Sequence, residues 1–145
     1  MQKQTVLLLG YLDETTRIWA EAFQQRGLQV ALTSSTTEVE RAWREDPPML
    51  TVVDASIPSA ESLRLCRDLR RLGPAPILLV LTSASELIEA YQAGATECLI
   101  QPASPAVVLL KALAWSMRVR WAEVGTAQNP ARESALYAAG VADVL

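Results

Sequence analysis

Residues 49–58 read MLTVVDASIP, in which the largely apolar run Met49–Val53 is followed by Asp54 and, four residues later, by Pro58. A run of this length without alternating polar residues is typical of a strand that is covered on both faces of a parallel sheet. Open α/β sheets carry their functional side chains at the carboxyl ends of such strands. Asp54 is therefore the first candidate for a functional residue.

Four other apolar runs have the length of a strand, and a helical pattern follows each of them: Thr5–Leu9, Leu28–Leu32, Ile77–Leu81 and Glu97–Ile100. Alternation of strands with helices predicts a parallel sheet with helical crossovers, and hence an α/β fold. The runs that begin at Thr5, Met49 and Ile77 lack polar alternation, so we expect them in the centre of the sheet. A chain of 145 residues has room for one such domain and no second complete one.

Glycine, proline and capping residues mark where the five predicted helices begin and end. The predicted ends are Gly27, Pro47-Pro48, Gly73-Pro74 and Gly94, and the predicted starts are Ser35 with Glu38, Ser83 with Glu86, and Ser104-Pro105. Glycine after a helix readily adopts a left-handed conformation, and a serine three residues before a glutamate can form a capping box. These residues delimit the helices independently of the apolar pattern.

The apolar pattern of the fifth helix continues to about residue 124, which is long for a helix that covers one sheet. The far end of this helix has two possible interpretations. Either the far end of the helix wraps around the core, or Trp115, Val119 and Trp121 form an exposed stripe that pairs with another chain. We expect a domain over residues 1–124, followed over residues 125–145 by a linker and a C-terminal tail in which a further module could begin.

The composition excludes several classes of function. A net charge of −3 and a pI near 5.0 do not provide the basic surface that nucleic-acid binding needs. No apolar run reaches the roughly 20 residues of a membrane span, and the absence of histidine excludes His-based catalysis and most transition-metal sites. Cys66 and Cys98 lack metal-ligand spacing and are predicted to be buried, reduced and inert. We expect a cytoplasmic protein with protein partners.

The order of elements and the residues at the strand ends resemble the receiver domain of bacterial two-component response regulators, from Thr5 to about Arg120. In that family an aspartate after strand three accepts a phosphoryl group, and a Thr or Ser after strand four and a Lys-Pro pair after strand five contact it. Asp54, Thr82 and Pro102 match the acceptor, the hydroxyl and the proline. The resemblance implies a doubly wound, CheY-like and flavodoxin-like three-layer α/β sandwich of five parallel strands in the order 2-1-3-4-5.

Three positions depart from the family pattern. Gly10-Tyr11 stands in place of an acidic pair that binds a divalent cation, Gln101 in place of the lysine, and Cys98 in place of an aromatic residue that reports phosphorylation. Mg²⁺ in such sites is held by one or two carboxylates together with phosphate, so Asp54 alone is a poor metal site. Asp13 lies just beyond, but an acidic residue at a helix start is more often an N-cap. We expect no cofactor, with Mg²⁺ required only if Asp54 is phosphorylated.

The predicted pocket around the acceptor position comprises Gly10, Tyr11, Asp13, Thr82, Gln101 and Pro102, with Tyr11 as its plug. Thr82 also suits the entry of the following helix, and Asp54 suits an Asx turn that caps its own loop. The first hypothesis is a degenerate receiver, not an enzyme, that acts as an interaction module without phosphorylation. Such a module would bind a signalling kinase, an output domain or a second copy through its fourth helix, fifth strand and fifth helix. The alternative hypothesis is a functional phosphoacceptor at Asp54.

Overall fold

The computed structural model describes residues 5–115, in which a five-stranded parallel sheet carries helices on both faces. The strands are β1 (Thr5–Leu9), β2 (Gln29–Thr33), β3 (Leu50–Val53), β4 (Ile77–Leu81) and β5 (Glu97–Ile100). Their order is β2-β1-β3-β4-β5, and every neighbouring pair is parallel. The predicted fold class and strand order are confirmed, and only the bounds of β2 and β3 differ slightly from the prediction.

The helices are α1 (Glu14–Gln25), α2 (Thr36–Glu45), α3 (Ser59–Leu72), α4 (Leu87–Ala93) and α5, which covers 105–115 within the described residues. A 3₁₀ turn, Ala84–Glu86, precedes α4. Ser35 caps α2 as predicted, because its hydroxyl oxygen accepts a hydrogen bond from the Glu38 N–H at 3.3 Å. Gly94 follows α4 with φ of +113°, a left-handed conformation that suits glycine. The predicted helix boundaries hold at these positions.

Apolar layers pack against both faces of the sheet. Trp43, Leu69 and Ala90 belong to the layer formed by α2, α3 and α4, whereas Trp19 and Val108 belong to the layer formed by α1 and α5. β3 and β4 are buried throughout and β1 almost so, while β2 and β5 are partly exposed. The prediction that the three uninterrupted apolar runs are central is confirmed. The carboxyl ends of β1, β3 and β4 therefore lie side by side at one edge of the sheet.

Several other predictions have a clear outcome. Cys66 and Cys98 are free and buried, as predicted. Burial raises the pKa of the Cys66 thiol and raises that of Cys98 to about 11, so both remain protonated at neutral pH. No helix within residues 5–115 is long and apolar enough to span a membrane. The predicted stripe residues Val119 and Trp121 and the linker and tail over 125–145 lie outside the described residues.

Candidate functional site

An open cleft of about 600 Å³ lies where β3, β4 and β5 end. Its lining residues define what we call the Asp54 cleft: Thr15, Trp19, Asp54, Val80, Thr82, Gln101, Pro102, Ala103 and Pro105. The parallel register explains the convergence, because Asp54, Thr82 and Gln101 each follow the last residue of a strand. The Gln101 N–H donates to the Leu81 carbonyl at 2.8 Å, which fixes the exit of β5 beside that of β4. The sheet thus brings Asp54 together with Thr82, Gln101 and Pro102, as predicted.

Asp54 is a nearly buried carboxylate with few partners. The residue is 6% exposed, and its Oδ2 accepts a hydrogen bond from the Ser56 N–H at 3.2 Å, which is the predicted Asx turn. Its own N–H donates to the Leu9 carbonyl at 2.8 Å and so continues the pairing of β1 with β3. None of the ion pairs within residues 5–115 involves it. The carboxylate has no cationic side chain beside it in this part of the chain.

Gly10 lies behind Asp54 and does not line the cleft. A Cβ at position 10 would lie 2.9 Å from the Asp54 Cβ and 3.2 Å from the Thr16 Cγ2. The first of these distances is shorter than real Cβ contacts, so a side chain at position 10 requires Asp54 or the backbone to shift. An acidic residue at position 10, as in the family pattern, would therefore displace Asp54 or the neighbouring backbone, so its absence is more than the loss of a charge.

Tyr11 and Asp13 also stay outside the cleft. The Tyr11 side chain is 56% exposed, so the prediction that it plugs the pocket is wrong. Its backbone is held instead, because its N–H donates to the Ser56 Oγ at 3.4 Å and its carbonyl accepts from the Thr16 Oγ1 at 2.9 Å. Asp13 caps α1, since its Oδ1 accepts a hydrogen bond from the Thr16 N–H at 2.9 Å and its own N–H donates to the Thr16 Oγ1 at 3.1 Å. The N-cap interpretation of Asp13 is confirmed.

Thr82 lines the cleft, but its hydroxyl is engaged elsewhere. The Thr82 Oγ1 donates to the Glu86 Oε1 at 3.0 Å, and the Ser83 N–H donates to the same oxygen at 3.1 Å. The pKa of Glu86 is lowered, chiefly by the side chain of Ser59 at the start of α3; burial opposes this, and Thr82 and Ser83 lower the pKa further. The helix-entry interpretation of Thr82 is confirmed. The predicted capping box of Ser83 with Glu86 is confirmed too, and the hydrogen bond from the Thr82 hydroxyl is an additional contact of Glu86 that was not predicted.

The residues at the cleft do not fit a divalent cation. Mg²⁺ requires oxygen ligands in near-octahedral geometry, usually including one or two carboxylates. Asp54 is the one carboxylate that lines the cleft, and no three Asp, Glu, His or Cys side chains within residues 5–115 are grouped to hold a metal ion. Asp13, the second candidate, is engaged as a helix cap. Gln101 adds an amide where the family pattern has an ammonium, so it supplies hydrogen bonds without charge.

Trp19 forms part of the cleft wall, which the sequence did not reveal. Its side chain is 3% exposed, and its Nε1 is the one buried side-chain polar atom in the described chain without a hydrogen-bond partner. The indoles of Trp43 and Trp115 do have acceptors, since their Nε1–H groups donate to Thr51 Oγ1 at 2.9 Å and Glu97 Oε2 at 3.3 Å. Helical periodicity marks Trp19 as buried, but it cannot separate a core residue from a cleft wall.

Tyr91 of α4 lies against β5 near the position that departs from the family pattern. Its hydroxyl oxygen accepts a hydrogen bond from the Cys98 N–H at 3.2 Å. Burial is the main cause that raises the pKa of the Tyr91 phenol, although the residue remains 48% exposed. Tyr91 is not among the predicted site residues. An aromatic side chain therefore covers β5 from the neighbouring helix, where the family pattern places one on the strand.

The surface formed by α4, β5 and α5 carries exposed apolar side chains next to a small polar cluster. Ile88 is 72% exposed and Leu110 is 65% exposed. The Lys111 Nζ lies 3.4 Å from the Glu97 Oε1, and the Trp115 indole donates to the other oxygen of the same carboxylate. Trp115 is half-buried against β5, so this member of the predicted stripe packs on its own domain.

Comparisons with known proteins agree with the fold. The profile of the family described as "Response regulator receiver domain" matches residues 13–114. The transcriptional regulatory protein CreB of Escherichia coli K12 is 28% identical over 123 residues, which cover 83% of this chain and 54% of CreB. This chain spans about half the length of the curated relatives it matches.

Solved structures of low sequence identity share the fold. The beryllofluoride-activated NtrC4 receiver domain dimer has a TM-score of 0.70 at 17% identity, covering 79% of this chain and 98% of that one. A second match is the co-crystal structure of the Saccharomyces cerevisiae proteins Ypd1, a histidine phosphotransfer protein, and Ssk1, represented by its receiver domain. The TM-score is 0.68 at 17% identity, and the match covers 80% of this chain and 90% of that one. Because the family profile covers most of the sequence and the strand order agrees with it, the chain belongs to the response regulator receiver domain family.

Proposed function

We propose that this chain is a degenerate receiver domain of two-component signal transduction, which acts as a protein-interaction module without phosphorylation of Asp54. The observation that carries the proposal is the close packing of Gly10 behind Asp54. With only 2.9 Å between a Cβ at position 10 and the Asp54 Cβ, an acidic side chain cannot be added there while Asp54 keeps its place. Position 10 therefore contributes no carboxylate, and Asp54, the one carboxylate that lines the cleft, is a poor magnesium site alone.

The charge of the cleft supports the same proposal. Phosphoryl transfer to Asp54 would add negative charge to the cleft. Among the described residues, no lysine or arginine lines the cleft to offset that charge. Catalysis of that transfer depends mostly on positioning and on cationic stabilisation of the oxygens. Gln101 offers a neutral donor, and the Thr82 hydroxyl donates to Glu86. The groups that would stabilise a phosphoryl group are therefore neutral or engaged.

A titration with beryllofluoride and Mg²⁺ tests this proposal, because beryllofluoride mimics a phosphoryl group on aspartate. We expect no saturable shift in the amide NMR signals of residues that follow β1, β3 and β4, and no mass increase after incubation with acetyl phosphate. The matched control is Asp54→Asn, which removes the acceptor oxygen and conserves the side-chain shape. Saturable shifts in the wild type that disappear in Asp54→Asn would overturn the proposal.

One observation favours a second candidate, a functional phosphoacceptor at Asp54. Asp54, Thr82 and Pro102 line one cleft, as the family pattern requires. In that case the Thr82 hydroxyl would have to leave Glu86 and turn toward the phosphoryl oxygens. The same titration on Thr82→Ala separates the two candidates: a phosphoacceptor would show weaker saturation than the wild type, whereas a degenerate receiver would show none in either protein.

For the interaction itself, we propose the surface formed by α4, β5 and α5, with a second copy of the chain as its partner. Ile88 and Leu110 are exposed there, and large exposed apolar side chains often mark interfaces. The NtrC4 neighbour was solved as a dimer. A signalling kinase or an output domain is the alternative occupant, as CreB is named a transcriptional regulator and Ssk1 was solved with a phosphotransfer protein. The expected location remains the cytoplasm, on sequence grounds.

Light scattering of the intact chain tests the dimer. We expect a dimeric mass for the wild type and a monomeric mass for Ile88→Glu, Leu110→Glu and Trp121→Glu. The matched control is Leu72→Glu, a substitution at an exposed apolar residue at the end of α3, which should leave the dimer intact. A monomeric wild type at all accessible concentrations would remove the dimer and leave a different protein as the partner.

A further inference from the structure

The two edge strands of the sheet differ in how their outer backbone groups are covered. β5 forms one edge, where the Cys98 N–H donates to the Tyr91 hydroxyl at 3.2 Å and Glu97 adds a charged side chain. β2 forms the other edge, and its sequence QVALT contains neither a charge nor a proline. Charged side chains and local covers normally prevent an edge strand from pairing with another chain. β2 lacks these devices, so it is a candidate pairing surface.

The pairing with β1 fixes which residues of β2 direct their backbone groups outward. The Gly10 N–H donates to the Thr33 carbonyl at 3.0 Å, so the backbone groups of Thr33 face β1. Along a paired strand the N–H and C=O of one residue point to the same neighbour, and the next residue points away. Ala31 therefore also faces β1, whereas the N–H and C=O groups of Val30 and Leu32 face outward. Because β2 is the last strand of the sheet, no strand of the described chain pairs with these groups.

We propose that β2 pairs antiparallel with β2 of a second copy of the chain, across a two-fold axis at Ala31. In this register Val30 of one copy lies opposite Leu32 of the other, and each such pair exchanges two N–H···O bonds. All the outward backbone groups of both strands are then satisfied. The two Ala31 side chains, which are exposed in the single chain, meet on the axis. This surface lies at the opposite edge of the sheet from β5, so the inference goes beyond the proposed dimer and does not depend on it.

The charges beside the two ends of β2 favour a second copy as the partner. Arg26 precedes the strand, is exposed and forms no ion pair within the described residues. Glu38 follows the strand in the first turn of α2, is exposed and has only a 4.0 Å contact with Arg41. Antiparallel pairing brings the Arg26 end of each copy to the Glu38 end of the other. Opposite charges therefore meet at both ends of the paired strands.

The small size of this contact sets its strength. Two strands of five residues bury less than the roughly 1,200 Å² of a stable interface, so the association is weak and transient. We expect a Kd on the order of 1 mM, well above the concentrations used in light scattering. The pairing would thus add to the proposed dimer only where the chain is concentrated. Two-fold contacts at both edges of the sheet would then link the molecules into rows.

Amide hydrogen exchange, measured by NMR on the intact chain, tests the pairing. The Ile88→Glu substitution serves as the background, because it removes the proposed dimer at the other edge. The outward amides of Val30 and Leu32 should exchange about twofold more slowly at about 1 mM protein than at about 0.05 mM. The amides of Ala31 and Thr33, which face β1, should be equally protected at both concentrations. Slowing at alternate residues separates strand pairing from general aggregation.

Substitutions at Ala31 test the position of the two-fold axis. Ala31→Lys places two ammonium groups opposite each other and should abolish the concentration dependence, and Ala31→Glu should do the same with two carboxylates. The matched control is Gln29→Lys, at another exposed position of β2 away from the axis, which should retain it. A mixture of labelled Ala31→Lys with unlabelled Ala31→Glu should restore the slow exchange, because opposite charges then face each other.

Three results would overturn the inference. The first is exchange at Val30 and Leu32 that does not depend on protein concentration. The second is an undiminished concentration dependence in Ala31→Lys, and the third is a mixture of the two charged variants that exchanges no more slowly than either alone. The degenerate receiver and the proposed dimer are unaffected by these results, since beryllofluoride titration and light scattering test them separately.

Discussion

The two ends of the sheet differ in how well their buried polar groups are hydrogen-bonded. Before β4 and β5 begin, the Arg70 guanidinium donates to the carbonyls of Gly94 and Ala75, both at 2.7 Å, and to the Thr96 Oγ1 at 2.9 Å. Thr96 in turn accepts from the Ile77 N–H at 3.0 Å. A half-buried cation at this end thus ties α3 to both strands through well-formed bonds.

At the carboxyl end the cleft groups are left short of partners. Asp54 has one hydrogen bond to its carboxylate, and the Trp19 indole N–H has none. Proteins satisfy buried polar groups where stability decides, and they tolerate unsatisfied groups where binding or switching decides. The contrast indicates that the amino end of the sheet serves the fold, whereas the carboxyl end has the shape of a site, as the proposed degenerate receiver would retain.

The largest expected effect comes from breaking the satisfied end. Replacing Arg70 with Met keeps most of the alkyl chain but removes every donor to Gly94, Ala75 and Thr96. We expect a loss of about 3 kcal/mol in the free energy of unfolding, because bonds to a charged donor are strong and their acceptors are left partly buried. Urea denaturation measures this change.

Arg71→Met is the matched control for Arg70→Met. Its side chain is 80% exposed and forms only a 3.6 Å ion pair with Asp68. Such a pair contributes little, so we expect a change within about 0.5 kcal/mol. Equal losses for the two arginines would show that the Arg70 bonds do not hold the amino end together.

A smaller effect is expected from filling the space behind the acceptor. Gly10→Ala places a Cβ 2.9 Å from the Asp54 Cβ, so the ends of β1 and β3 must shift. We expect a loss of about 2 kcal/mol, typical of overpacking in a well-packed region. Urea denaturation is again the measurement, and amide NMR shifts should concentrate around Asp54.

Gly73→Ala provides the control for Gly10→Ala. Gly73 has an extended backbone with φ of 169°, and no atom lies within 4 Å of a Cβ built there. Its stability should change by less than about 0.5 kcal/mol. If Gly10→Ala were as harmless as Gly73→Ala, packing would not explain why position 10 lacks an acidic residue.

Cys98, in the middle of the edge strand β5, should make the stability of the fold depend on pH. Burial raises the pKa of Cys98 from 9.0 to about 11. A group whose folded pKa is raised contributes stability that is fully present below the unfolded pKa and is lost as the pH rises toward the folded pKa. The loss should therefore fall between pH 9 and pH 11, and by about pH 10 it should be on the order of 1 kcal/mol.

Urea denaturation of wild type and Cys98→Ala across this window measures the contribution. The variant should start less stable but decline less steeply with pH. Tyr91 and Cys66, whose pKa values are also raised, titrate in both proteins but interact with Cys98, so the difference between the two proteins measures Cys98 together with this coupling. Parallel declines would show that Cys98 does not remain a buried thiol.

The sheet and its centre were predictable because burial on both faces leaves a direct mark on the sequence. β1, β3 and β4 have no polar alternation, and their order follows from the family pattern at their ends. Strand β2 was displaced by one residue because Leu28 is buried just before the strand begins. Apolar runs report burial, whereas strand bounds depend on backbone pairing that the composition does not encode.

The details of the cleft were harder to predict because they depend on contacts between distant residues. Tyr11 points to solvent because its backbone bonds to Ser56, which is 45 positions away. Glu86, by contrast, was predictable as the capping-box partner of Ser83, because the two residues are three positions apart. Asp13 was predictable as a cap because its partner Thr16 is three residues away. Local chemistry could be read from the sequence, and convergence of loops could not.

The smallest change in stability is expected from a double variant that partly restores the family pattern. This variant is also the sharpest test of the carboxyl end of the sheet. Tyr11→Asp with Gln101→Lys returns one acid and the ammonium at two exposed positions without filling the space behind Asp54, so stability should change by less than about 0.5 kcal/mol. If the lost residues alone explain the proposed inactivity, the double variant should bind Mg²⁺ measurably and take up beryllofluoride, whereas adding Asp54→Asn should abolish both. Continued absence of binding would show that the Gly10 packing and the bond from Thr82 to Glu86 also hold Asp54 in an inactive geometry, because the charges would then be present without effect.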